Sequence, residues 1–177
     1  MSEFEISGNA RDLVKKAAVC GFFAFIFASL FACVSLYGVL PSIFPELHYG
    51  MGLLANSDSS HFFSEATKLY DLIKSAGWDS WSLNYHDQLP IGLTAGLMAV
   101  TGIKHPLVVI IFNCALVGVA TGFLAHRLFD LFSVRVVQKI WLWVFFPSAL
   151  LVYGQIHRDS AVLFAICIVV WGLPLQS

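Results

Sequence analysis

Charge is scarce in this chain. Only 12 % of its 177 residues are Asp, Glu, Lys or Arg, ten basic against eleven acidic. Soluble domains carry about 25 %. There is no basic tract and no aromatic–basic surface, so nucleic acid is not an expected partner. Familiar catalytic signatures are missing too: no G-x-S-x-G, no P-loop, no dinucleotide-binding glycine pattern, and no HExxH or paired-ligand spacing. Hydrolase, ATPase and dehydrogenase readings therefore have no footing. The four cysteines, Cys20, Cys33, Cys114 and Cys167, all fall inside apolar stretches without a CxxC, and read as small packing residues. Internal repeats and low-complexity tracts are also absent.

What fills the chain instead is apolar, at 58 % hydrophobic residues and a mean hydropathy of +0.79. Four uncharged stretches stand out, at 17–45, 106–125, 140–156 and 160–177. A membrane-crossing helix needs about 20 such residues. The expected fold is therefore all-α, a polytopic transmembrane helical bundle of about four spans. Its divisions are a cytoplasmic segment at 1–16, a first span at 17–40, a long outer loop with amphipathic surface helices at 41–105, and spans two to four within 106–177. Lys15 and Lys16 before the first run resemble the start of a secretion signal. The run far exceeds the 7–15 residues of a signal core, so an uncleaved anchor is expected.

Basic residues set the orientation, because short loops rich in Lys and Arg stay cytoplasmic. They gather at Arg11, Lys15 and Lys16, and again at Arg127, Arg135 and Lys139. Residues 46–105 carry Glu46, Asp58, Glu65, Asp71, Asp79 and Asp87 against Lys68, Lys74 and Lys104. The amino terminus is thus expected inside, with 41–105 and Tyr153–Asp159 on the outer (periplasmic or luminal) face. Leu89–Ile103 is apolar but short for a crossing, and is expected to lie at the outer surface.

Within that outer segment, Phe62, Ala66, Leu69, Ile73 and Ala76 recur at three- and four-residue steps, the mark of an amphipathic helix. Glu65, Lys68, Asp71 and Lys74 alternate in sign on the other side, and Gly77 is placed to end the helix. Trp78, Trp81 and Tyr85 follow, residues that favour the headgroup layer. The pattern predicts a helix resting on the membrane. Gly118-x-x-x-Gly122 predicts close helix packing, and Pro147 a kink in the third span.

Two places could carry chemistry. Asp58 opens the amphipathic helix, where it either caps exposed amides or serves as an outer-face acid. Arg158-Asp159 lies between two apolar stretches. There it is either an interfacial ion pair or a phosphate grip, Arg158 offering its planar fork and Asp159 holding a metal or orienting a hydroxyl. His48, His61, His86, His105 and His157 all fall on the predicted outer side, with His86-Asp87 near the presumed site.

The order of these features resembles the amino-terminal part of the GT-C superfamily of polytopic glycosyltransferases, which includes protein O-mannosyltransferases and lipid A aminoarabinose transferases. The resemblance covers residues 17–171 and rests on order and spacing. It joins Asp58 with Phe62, Ala66, Leu69 and Gly77-Trp78, then Leu89-Pro90-Ile91-Gly92 through Gly102, then Asn113 through Phe129, then Phe146-Pro147-Ser148 through Arg158-Asp159-Ser160. Two departures stand against it: Asp58 has no neighbouring second acid, and the chain is far shorter than members of that superfamily. The resemblance implies a sugar on a polyprenyl phosphate as donor, presented from the lipid bilayer. Asp58 would be general base on the acceptor, favoured by low-dielectric surroundings. Arg158, with His157 or His86, would meet the phosphate charge, and Asp159 would be the second acidic position. Some members use a divalent metal ion and others do not, so cofactor need stays open. Two other readings stand beside it: a non-catalytic helical subunit of envelope polysaccharide assembly working with other membrane subunits, and a transporter fragment.

Overall fold

A computed structural model describes residues 3–55, 57–131, 153–156 and 159–172. Helix dominates. Helix α1 (Glu3–Cys33) passes through a π-helical turn (Val34–Val39) into the short α2 (Leu40–Ile43). The cytoplasmic segment expected at 1–16 is thus already helical from Glu3, and Lys16 pairs with Asp12 one turn back at 2.7 Å. The π-turn has a local cause in Pro41, which lacks an N–H and whose ring crowds the carbonyl four residues back. The ladder widens there, and the Leu40 amide donates to Ser35 O, five residues away.

Helix α5 (Leu107–Leu131) packs antiparallel along α1. On α1 the contact face is a stripe of small residues, Ala17, Gly21, Ala24, Ala28 and Ala32, each buried. Against them lie Ile110, Cys114, Val117, Gly118 and Gly122 of α5. Without large side chains between them the backbones come close: a Cβ on Gly118 would stand 2.7 Å from the Phe25 Cβ and 2.8 Å from Gly21 O. The close packing predicted for Gly118-x-x-x-Gly122 is therefore formed, with Gly21 as its partner. Small residues permit this approach where the surroundings give no hydrophobic drive to associate.

Among the described residues two helices are long and apolar enough to cross a membrane, within Asp12–Ile43 and Leu107–Leu128. Helix α4 (Leu89–Thr101) has 13 residues, or about 20 Å at 1.5 Å per residue, against a hydrocarbon core of about 30 Å. Helix α6 (Asp159–Gly172) packs on α5. The expected third span falls largely on 140–152, which with Arg135, Lys139 and Pro147 lies outside the described residues.

Helix α3 (Asp58–Ala76) ends where expected, the Gly77 amide donating to Ile73 O at 2.9 Å with φ at 92°. Its apolar face departs from expectation. Ala66, Leu69 and Ile73 are 0–4 % exposed because α4 covers them with Ile91, Ala95 and Met98. The face predicted to rest on a membrane is instead the seam of a helix pair. Periodicity reveals that a face is apolar, not what covers it. Trp81, expected in a headgroup layer, donates its indole N–H to Gly92 O at 2.8 Å and lies over Gly96, tying the loop after α3 to α4. The charge ladder is redrawn as well: Lys68 pairs with Glu65 at 2.6 Å, but Asp71 takes Lys104 with both oxygens at 2.8 Å.

The all-α expectation is corrected in one place. Strands β1 (His48–Gly50) and β2 (Leu53–Leu54) form a small antiparallel hairpin. Its turn residues Met51 and Gly52 both have positive φ, 53° and 80°, the twist that two-residue hairpin turns favour.

Candidate functional site

The hairpin is held from three sides. His48 accepts the Gly52 amide on Nε2 at 3.3 Å, closing the turn. The Tyr37 ring, from the π-turn, lies over Gly52 so closely that a Cβ there would be 2.7 Å away. Tyr37 in turn stacks on His105, with ring centroids 6.0 Å apart. His105 caps α5, accepting the Leu107 amide on Nδ1 at 3.1 Å. Each imidazole thus uses one ring nitrogen as an acceptor.

The third support is Gln155, 1 % exposed. Its Oε1 accepts the Leu54 amide at 3.1 Å, and its Nε2 donates to Gly52 O at 3.2 Å and Gly154 O at 2.8 Å. The backbone O of Gln155 accepts from Asn113 Nδ2 of α5 at 2.9 Å. Leu53, Val109 and Ile156 close an apolar layer beneath. Tyr153 fills the adjoining core between α1 and α5. A buried amide with its donor and acceptor both used is a strong fixing point, since leaving either unmet costs about 1–3 kcal/mol.

This clasp decides where the predicted site residues go. Asp58 follows β2 by four residues and Asp159 follows Gln155 by four, so the stretches that carry the two acids are brought to one end of the molecule. Asp58 is the first residue of α3 and is exposed. The N-cap is Ser57, whose hydroxyl turns back to Leu54 O at 2.8 Å, while Ser60 Oγ donates to Ser57 O at 2.9 Å. The capping role open to Asp58 is therefore not formed: its carboxylate has no hydrogen-bond or ion-pair partner among the described residues, although the helix dipole favours a negative charge there. Nor do the described residues enclose it in the apolar surroundings expected of a general base.

Asp159 opens α6 and is also exposed. His157 and Arg158 lie outside the described residues. His86 sits exposed at the kink of a 3-10 turn, φ 50°, its ring against Tyr85 at 4.1 Å. It interacts electrostatically with Glu65, seven residues along α3 from Asp58, or about 10 Å. The Lys68 ammonium holds the Glu65 carboxyl below its ordinary range, with smaller help from His61 and His86. Among the described residues no three of His, Cys, Asp and Glu gather to hold a metal ion.

Sequence reasoning missed Gln155, Asn113 as its partner, and the Tyr37–His105 stack. Only Gly50-Met51-Gly52 hinted at the hairpin, and nothing local to residue 155 names a partner 101 positions away. Compared with known proteins, the chain matches no family model, no curated protein and no solved structure.

Proposed function

We propose that this is an integral membrane protein whose hairpin end faces outward and carries a GT-C-like glycosyltransferase site. Two features support the membrane part. Helices α1 and α5 are long and apolar enough to cross. Their antiparallel packing also gathers Lys15, Lys16 and Arg127 at one end and the acid-rich residues 46–87 at the other, the asymmetry that places basic ends in the cytoplasm.

The observation that carries the catalytic part is the Gln155 clasp. A transferase of this kind needs the acid that opens α3 and the Arg-Asp at the start of α6 to converge, and Gln155, three residues before Arg158, binds the hairpin that leads to Asp58. In this reading Asp58 takes the proton of the acceptor as a sugar leaves its polyprenyl phosphate. Arg158 and His157 meet the charge building on that phosphate, His86 being the outlying member, and Asp159 orients the acceptor or donor. No step is assigned to a metal.

A second reading, a non-catalytic membrane subunit, draws support from the exposure of both Asp58 and Asp159. A transporter fragment has less in its favour: no Asp, Glu, Lys or Arg lies between Lys16 and Glu46 or between Lys104 and Arg127, where midplane sites would need them. Photolabelling with a benzophenone-bearing polyprenyl phosphate separates the first two. The enzyme reading expects labelling at the hairpin end, competed by unlabelled polyprenyl phosphate and weakened in Arg158→Ala. Labelling that is absent or not competed leaves the subunit reading.

A further inference from the structure

The β1–β2 turn is a poor sequence for a hairpin standing in water. Its central residues, Met51 and Gly52, both take positive φ, a conformation that Asn, Asp and Gly adopt readily and that other residues resist. Met51 adopts it with a large apolar side chain that is 52 % exposed. Tyr49, on β1, is 65 % exposed. No Asp, Glu, Lys or Arg occurs between Glu46 and Asp58, and the imidazole of His48 is engaged with the Gly52 amide inside the turn. The exposed side of the turn is thus apolar and aromatic, without charge.

The depth of the turn follows from α5. The uncharged part of that helix, 107–125, is eighteen steps long, about 27 Å at 1.5 Å per residue. A bilayer's hydrocarbon is about 30 Å thick. With no length to spare, a crossing α5 sets its first turn at the hydrocarbon boundary. Leu53 belongs to one buried cluster with Val109, in that first turn. Gly52 lies under the Tyr37 ring, which stacks on His105, two residues before α5 begins. The chain runs on past Tyr37 to Ile43, about 9 Å farther along its helical path, and then doubles back until the turn meets Tyr37 again. The hairpin therefore returns to the level of the boundary, with Gly52 and Leu53 against the helices and Met51 and Tyr49 exposed.

We propose that the turn is an interfacial membrane anchor, with Met51 and Tyr49 inserted between the headgroups and acyl chains of the leaflet at the hairpin end. This rests on the reading that α1 and α5 cross a bilayer. Tyrosine suits that layer, its ring in the apolar part and its hydroxyl in the wet part, and the flexible methionine fills the space among chain ends. Through the Gln155 clasp, the anchor also sets the depth of the stretches that lead to Asp58 and Asp159.

The test is photocrosslinking of the full chain in phosphatidylcholine proteoliposomes, with p-benzoylphenylalanine in place of Met51, Tyr49 or Leu30, one at a time. Leu30, 57 % exposed on α1, is the reference within the span. Position 49 keeps an aromatic side chain and leaves the turn residues alone, so it carries the test if replacing Met51 unfolds the turn. After irradiation, the intact mass should rise by one phospholipid at positions 51 and 49, as at 30. Fragmentation should place the link on the glycerol or an acyl chain. Lipid at position 30 but at neither 51 nor 49, or linked there through choline alone, puts the turn outside the boundary and overturns the anchor while leaving the span intact. A crosslinked dimer at 51 and 49 without lipid overturns it in favour of a second copy of the chain. No lipid at any of the three positions overturns the membrane reading, and the anchor with it.

Discussion

At the scale of single residues, Gln155 holds the hairpin, and Asp58 is the residue on which the proposed chemistry depends. Gln155→Ala removes both side-chain contacts to the hairpin and leaves the Leu54 amide and Gly52 carbonyl without them. The expected cost is about 1–3 kcal/mol for each buried group left unmet, read as a lower thermal midpoint and faster hydrogen exchange at Leu54. Gln155→Glu should be worse, since it keeps the acceptor, loses the donor and buries a charge. Unchanged Leu54 exchange in both would remove the clasp from the account. Asp58→Asn should cut transfer by about 10²–10⁴, the usual weight of a general base, with insertion and hairpin exchange unaltered. Retained transfer would end the base assignment. Glu65 gives a pH signature. Its folded pKa lies below the ordinary 4.5 because Lys68 bonds the carboxylate. The pair therefore contributes stability above about that pH, and the contribution is lost as pH falls through the lower folded value. The midpoint difference between the native chain and Lys68→Gln should accordingly be present at neutral pH and vanish in strong acid, and it should be small, since surface pairs contribute little.

At the scale of elements, the α1–α5 seam makes a prediction that helix propensity alone would get wrong. Ala is favoured over Gly inside a helix by about 1 kcal/mol. At Gly122 an added Cβ meets Ala17 O at 3.3 Å, a contact that needs a shift of only a few tenths of an ångström, so Gly122→Ala should cost clearly less than the same change at Gly118. At Gly118 the same atom would be 2.7 Å from Phe25 Cβ and 2.8 Å from Gly21 O, and a backbone atom cannot step aside. Gly118→Ala should therefore destabilise by about 1–3 kcal/mol as the helices are forced apart, measured by thermal denaturation in detergent. An equal response at the two positions would mean that the seam is not packed as described. The seam also shows what a sequence reveals. The Gly118-x-x-x-Gly122 pair, the apolar steps of α3 and the Gly77 stop were legible because each is a local pattern with one physical meaning. The complementary Ala17–Ala32 stripe of α1 was hidden inside a stretch that is apolar all round. The cover of α3 by α4, the Asp71–Lys104 pair and the Gln155 clasp depend on residues far apart in sequence. The hairpin's strands, three and two residues long, are too short for alternation to register, so an all-α expectation absorbed them.

At the scale of the whole molecule, the functional reading depends on which end faces which compartment. Antiparallel packing of α1 and α5 makes the two ends chemically unlike. One carries Lys15, Lys16 and Arg127, and the other gathers the hairpin, Asp58, the Lys104–Asp71 pair and the start of α6. Because the native cysteines all sit in apolar stretches, single cysteines introduced outside them can report the orientation by labelling. Ser75 is exposed on α3 beyond the buried seam, so Ser75→Cys should react with a membrane-impermeant maleimide in intact cells or right-side-out vesicles. Ser7→Cys, before the basic cluster on α1, should react only after permeabilisation. The reverse pattern would put the hairpin end in the cytoplasm. It would also reverse the positive-inside argument and separate Asp58 from any donor presented at the outer leaflet. Labelling of both positions without permeabilisation would mean that α1 does not cross at all. Only the first pattern leaves the clasp facing the side on which a lipid-linked sugar would be met, so orientation is the measurement on which the catalytic reading stands first.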